Sequence, residues 1–135
     1  MGASTGKGRR GGRISRSGDF DRVYKQGRSR GGRCFVAYAF ERPEEGGDSA
    51  RLGITVGRKV GSAVKRNSVK RCVREAFASI SDSVPGDFDI VIVARAGAAE
   101  LVEQEGMEGV RREISELITA LEEGRDGSKG AKRKT

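Results

Sequence analysis

An α/β (α+β) two-layer sandwich is the fold class this sequence predicts: a small mixed sheet with three helices, in the order α-β-β-α-β-α. Three observations carry it. Three short β-rich runs, at 33–40, 51–56 and 88–95, are set off by Gly, Pro and acidic punctuation. Three other stretches repeat apolar residues at the helical period. One of those helices lies between two of the strands, the sequence of a crossover joining parallel strands. With 135 residues, 35% of them hydrophobic, the chain suffices for one domain with a lean core.

The first helix begins near Ser17, which can cap it, and Asp19 suits its first turn. Phe20, Val23 and Tyr24 fall at i, i+3 and i+4, and Gly27 ends it. In the first strand, RCFVAYAF at 33–40, Cys34, Val36, Tyr38 and Phe40 share one face and Phe35, Ala37 and Ala39 the other. Both faces are apolar, so both are expected to be covered. ERPEEGGDSA reads as a loop, RLGITV at 51–56 as the second strand, and FDIVIVAR at 88–95, introduced by PGD, as the third.

Between those last two strands a helix is expected at about 62–80. Val69, Cys72, Val73, Ala76, Phe77 and Ile80 cluster there within an arc of about 140°, with Asn67, Lys70, Arg71 and Arg74 opposite. Ser62 or Asn67 can cap it. Lys65 and Arg66 drift toward the apolar side, which places them in the first turn or just before it. The final helix covers about 104–123, its stripe of Met107, Val110, Ile114, Leu117 and Leu121 facing a core.

The net charge of +8 is unevenly spread. Residues 22–33 carry five basic residues and 57–74 carry seven, with no acid in either. Residues 1–18 hold five basic residues and no acid, and 124–135 hold five and one acid. What remains is strongly acidic. One side should therefore attract a polyanion while another repels it, and the pI near 10.0 favours a nucleic-acid partner over a small acidic ligand. The N-terminal segment has a single large apolar residue, Ile14, too little to order it. Residues 1–16 and 124–135 thus read as flexible basic tails around an RNA-binding domain at 17–123. RRGGR and SRGGR are similar to RGG-type RNA-binding segments, and a solvated tail explains them equally well. No apolar run is long enough for a membrane, and no apolar stretch follows the basic N-terminus as in a secretory signal, so a cytoplasmic protein is expected. Cys34 and Cys72 sit in apolar patterns and read as buried free thiols in a reducing compartment. A zinc site needs about four N or S ligands, and there is no His.

Catalysis by the chain itself finds little support. There is no nucleophile elbow and no Gly-rich loop with Walker spacing. Asp87 and Asp89 share a face at a strand start, as a metal-dependent nuclease would need, but acids flanking a turn account for them more simply. Binding is better supplied. Single-stranded RNA is held by positive charge along its backbone and by aromatic faces for its bases. Phe20 and Tyr24 lie one helical turn apart and Tyr38 follows on the next strand. They read either as a stacking surface or as a core, Phe20 with Val23, rimmed by tyrosines. The basic face at 58–74 is the stronger signal, since like charges on one helix repel each other until an anion neutralises them.

The stretch AVKRNSVKRCVREAF, 63–77, resembles the signature of the bacterial ribonuclease P protein subunit, A-V-x-R-N-R-x-K-R-x-x-R-E-x-F. Ala63, Val64, Arg66, Asn67, Lys70, Arg71, Arg74, Glu75 and Phe77 match it. LGITVGRKVGSA resembles the strand and turn that lead into the motif. DFDRVYKQGRS resembles the opening helix and DIVIVAR the last strand, so the likeness spans about 17–121. Ser68 departs from the pattern, standing where the family has a third basic residue. That removes one phosphate contact, for which Lys65 offers a substitute.

The resemblance implies a ribonucleoprotein enzyme, ribonuclease P, in which a large catalytic RNA carries the chemistry. Protein and RNA together would remove the 5′ leader of precursor tRNA by hydrolysing one phosphodiester bond, with Mg²⁺ bound mainly by the RNA. Carried over, Arg66, Asn67, Lys70, Arg71 and Arg74 form the RNA face, to which the basic run adds Arg58, Lys59 and Lys65. Phe20, Tyr24 and Tyr38 line a leader cleft between the first helix and the sheet. The family's strand–helix–strand crossover is left-handed, against the usual rule. Two other readings stand beside it: a structural, ribosomal-type RNA-binding protein without a processing role, and a self-sufficient metal nuclease.

Overall fold

The computed structural model describes residues 12–14, 17–41, 50–84 and 88–125. The terminal segments 1–11 and 126–135, the segment 42–49 read as a loop, Asp87, and the side chains of Ser17 and Asp19 at the expected helix start lie outside what is described. In chain order come β1 (Gly12–Arg13), α1 (Ser17–Gln26), β2 (Arg28–Gly31), β3 (Phe35–Glu41) and β4 (Arg51–Val56). A 3-10 turn (Arg58–Val60), α2 (Ala63–Ile80), a second 3-10 turn (Ser81–Ser83), β5 (Phe88–Ala94) and α3 (Ala98–Arg125) follow. The sheet order is β1-β4-β5-β3-β2. β4 and β5 pair in parallel across the α2 crossover, while β3 runs antiparallel to both β5 and β2. The α+β class, the mixed sheet and the α-β-β-α-β-α order are those the sequence predicts.

The sheet gains two edge strands beyond the expected three. β2 reads RSRG and has no apolar alternation; it is recruited by main-chain pairing, Arg28 opposite Ala39 through Gly31 opposite Val36. β1 draws residues 12–14, part of the segment expected to be a tail, into the edge of the sheet. Gly12 and Arg13 pair with Arg51 and Leu52, the Ile14 N–H donates to the Leu52 carbonyl at 2.9 Å, and the Ile14 side chain is buried. One large apolar residue is enough to order three residues when a strand edge takes up their main-chain groups.

α2 and α3 pack on one face of the sheet. Val69, Val73, Ala76 and Phe77 of α2 and Val110, Ile114, Leu117 and Leu121 of α3 meet Phe35, Ala37, Leu52, Ile90 and Ile92 in the main core. Each such large side chain contributes about 1.5–3 kcal/mol on burial. Ser62 caps α2, its hydroxyl accepting from the Lys65 N–H at 3.3 Å. α3 begins earlier than the 104 expected and breaks at Gly106, whose φ of 66° suits glycine. The segment before the break buries Ala98, Ala99 and Leu101.

Cys34 is a correction. The strand starts at Phe35, and Cys34 turns into the main core with Phe35 rather than joining the Val36–Tyr38–Phe40 face. Glu113 of α3 sets this turn, its carboxylate accepting from the N–H groups of Cys34 (2.8 Å) and Phe35 (3.0 Å). The opposite face of the sheet, expected to be covered, is covered only in part by the described residues. There α1, Ile14 and the central strands make a small second core around Val23 and Val91.

Candidate RNA-binding surface

Register divides that second face into three rows. Phe40, Asp89 and Arg51 lie side by side in the lowest; Ser29, Tyr38, Val91 and Gly53 form the middle; Gly31, Val36, Val93 and Thr55 form the uppermost. α1 crosses the lower two. Its Arg22 guanidinium stands 5.0 Å from the centroid of the Phe40 ring. Phe20 lies over Gly53, where an added Cβ would come within 2.8 Å of the ring. Nothing larger than glycine leaves Phe20 its seat. Among the described residues no helix crosses the upper row, where Val36 and Val93 are half-buried and Thr55 is exposed.

Along the edge between covered and open rows the three expected aromatics meet. The Phe20 and Tyr24 centroids are 6.3 Å apart and tilted, while Tyr24 meets Tyr38 edge to face at 4.9 Å and 82°. The Tyr24 hydroxyl and the Thr55 hydroxyl hydrogen-bond at 3.2 Å, tying α1 to the open row. Tyr24 keeps 37% of its surface exposed, one of two large apolar or aromatic side chains so exposed among the described residues. Phe20 is partly buried, packed against the second core. The sequence reading missed Thr55, Val93 and Arg95, which lie in or beside the uppermost row. Arg95 follows β5 on the face of Val93, and its guanidinium lies where a side chain at Gly31 would stand, 2.7 Å from such a Cβ. The alternation of DIVIVAR carries that signal.

The open row runs up β4 through Thr55 to the basic turn. Arg58 and Lys59 sit exposed on the 3-10 turn, and Lys65, Asn67, Arg71 and Arg74 are exposed on α2. Arg66 and Lys70, nearer the core side of the wheel, are half-buried, as is Ser68. Lys65 lays its aliphatic stem across Gly61, where a Cβ would meet Lys65 Cδ at 2.9 Å, so its charge reaches solvent from an inward-facing position. Among the described residues none of these cations forms an ion pair. On α3, by contrast, Arg111 pairs with Glu108 and Arg112 with Glu105. The molecule thus carries an unneutralised basic face on α2 and a charge-paired, acid-rich helix beside it.

Asp89 does not face solvent as a metal ligand would. It is fully buried and receives a two-point contact from Arg51, Nε to Oδ1 at 2.8 Å and Nη2 to Oδ2 at 2.7 Å, with Arg22 Nη2 3.7 Å away. The carboxylate holds α1 and β4 to the centre of the sheet. Among the described residues no group of three or more His, Cys, Asp or Glu could hold a metal ion. Burial, with the Glu113 carboxylate next, pushes the Cys34 thiol up, and burial, with Glu75 next, does the same at Cys72. Both shifts favour the protonated thiol. No described helix is long and apolar enough to cross a membrane.

Proteins of known family and structure resemble this chain in sequence and fold. The family model described as Ribonuclease P matches residues 9–122. The ribonuclease P protein component of Halalkalibacterium halodurans is 44% identical over 89 residues, 66% of this chain and 73% of that protein. That of Bacillus cereus is 37% identical over 93 residues, 69% of this chain and 79% of the relative. Among solved structures, the RNase P protein of Staphylococcus aureus superposes with a TM-score of 0.68 at 33% identity, covering 80% of this chain and 93% of that one. The RNase P protein of Thermotoga maritima gives 0.68 at 34% identity, with 78% and 94% covered.

Proposed function

The chain belongs to the ribonuclease P protein family, and from that premise we propose that it is the protein subunit of a ribonucleoprotein that matures the 5′ ends of tRNA in the cytoplasm. Its α2 face docks on the catalytic RNA through Arg58, Lys59, Lys65, Arg66, Asn67, Lys70, Arg71 and Arg74. The groove at the edge of α1, with Phe20, Tyr24 and Tyr38, receives the single-stranded 5′ leader of precursor tRNA. The RNA, with the Mg²⁺ it carries, supplies the chemistry of phosphodiester hydrolysis. The protein's own residues bind, orient and exclude water from the leader.

One observation carries this reading: an unneutralised basic helix and an open aromatic row are joined through β4, from Thr55 to Arg58. Backbone charge and base faces are the two things a single strand needs from a protein. Ser68 leaves the basic stripe one cation short of the family pattern, and Lys65, held outward over Gly61, stands in its place.

The direct test is a salt titration of binding between the full chain and an in vitro transcribed bacterial ribonuclease P RNA. Binding with a steep negative log–log slope is expected. Weak binding independent of salt would count against the α2 face as the docking site.

A further inference from the structure

Two large apolar or aromatic residues are exposed among the described residues. One is Tyr24, in the groove. The other is Val64, in the first turn of α2 and 78% exposed. At about 100° per residue, Val64 lies roughly 165° from the centre of the buried stripe formed by Val69, Val73, Ala76 and Phe77. It therefore heads the outward stripe Val64, Asn67, Arg71, Arg74, at i, i+3, i+7 and i+10. Every other member of that stripe is polar or cationic, and all four are exposed. Arg58 and Lys59 on the preceding turn, and Ala63 beside it, are exposed as well.

The valine side chain carries no group that can contact phosphate by charge or donate a hydrogen bond. In a face that meets a polyanion it can only be covered by something apolar. The surrounding cations, none paired with a described acid, specify that the covering molecule is anionic. A nucleic acid offers apolar surface in two forms, the flat of an unstacked base and the carbon edge of a ribose, and proteins take single-stranded RNA through the former. We propose that Val64 is the apolar seat for an unpaired nucleobase of the docked RNA, set at the head of the phosphate-binding stripe. The proposal rests on the docking role of α2. It adds a contact that reads RNA shape rather than charge: a loop or bulge with an exposed base fits this end of the helix, and a continuous duplex does not.

The test separates apolar from ionic contacts by their salt dependence. Full-length Val64→Ser, Val64→Ile and Arg71→Ala proteins are titrated against the same transcribed ribonuclease P RNA over a series of salt concentrations, with thermal melts alongside. Val64→Ser should bind about five- to tenfold more weakly, the effect of uncovering one aliphatic side chain, with the log–log slope of the parent. Val64→Ile should bind like the parent, and Arg71→Ala should show a shallower slope. The melts of both Val64 variants should match the parent, because the side chain touches no core. Val64→Ser binding as tightly as the parent, or a shallower slope for Val64→Ser, overturns the proposal while leaving the docking role of α2 intact. Failure of the parent chain to bind the RNA would instead overturn the docking role on which the proposal stands.

Discussion

Tyr24 and Tyr38 meet edge to face, ring centroids 4.9 Å apart, although one lies on α1 and the other on β3. The contact marks the line where α1 stops covering the sheet. The Tyr24–Thr55 hydroxyl contact ties the pair to the row of Val36, Val93 and Thr55. A tyrosine pair placed only to fill a core would not leave Tyr24 37% exposed.

Removal of either ring should therefore weaken binding of precursor tRNA by the assembled enzyme. Base stacking is worth about 1–3 kcal/mol, roughly 5- to 150-fold in affinity. Tyr24→Ala and Tyr38→Ala should show losses in that range for precursor tRNA and little change for mature tRNA, which lacks the leader. Phe20→Ala is a poorer probe, because Phe20 also packs in the second core. Equal losses for both tRNAs would make these rings core or general RNA contacts.

The basic stripe predicts a different signature. Arg71→Ala or Arg74→Ala should weaken binding to the catalytic RNA and shallow the log–log salt slope by roughly 0.7 to 0.9 for each phosphate no longer neutralised. Both side chains are exposed, so thermal stability should not fall. Arginine variants with unchanged slope would move the docking face away from α2.

Asp89 should matter for folding rather than for chemistry. Asp89→Asn leaves Arg51 with a neutral partner in a buried site. Because Arg51 keeps 30% of its side chain exposed, the loss should be about 2–3 kcal/mol, below the ~3–5 kcal/mol typical of a broken buried pair. A melting midpoint lowered by several degrees, with cleavage per folded complex preserved, is the expected result. Full stability with abolished cleavage would reinstate Asp89 as a catalytic ligand.

Gly53 tests the seat of Phe20. In Gly53→Ala the new Cβ stands 2.8 Å from two carbons of the ring, so the ring must move. A loss of about 1–3 kcal/mol, as in other overpacked sites, is expected in urea melts, together with a smaller preference for precursor over mature tRNA. An unchanged preference with unchanged stability would show that Phe20 and its helix have room to shift.

Much of the fold is readable in the residues themselves. The α2 wheel is legible because its six apolar positions repeat cleanly, and Ser62 stands one residue before the helix. RLGITV is a strand to the residue, since alternation and turn punctuation agree. β2 is not legible, because RSRG is ordered by the main chain of β3 and carries no pattern of its own. The first segment of α3 hides between Gly97 and Gly106, too short to show a stripe. Asp89 resembles an acid at a turn until Arg51, far away in sequence, is brought beside it by the parallel pairing of β4 and β5. The three aromatics are visible as candidates. The open row beside them depends on register across four strands, which no local pattern encodes.

The most direct test of the subunit role is cleavage of precursor tRNA by three mixtures: the chain alone, a bacterial ribonuclease P RNA alone, and the two together. That role predicts no cleavage by the chain alone and more efficient cleavage by the two together than by the RNA alone. Cleavage by the chain alone, or no gain on adding it to the RNA, would contradict it.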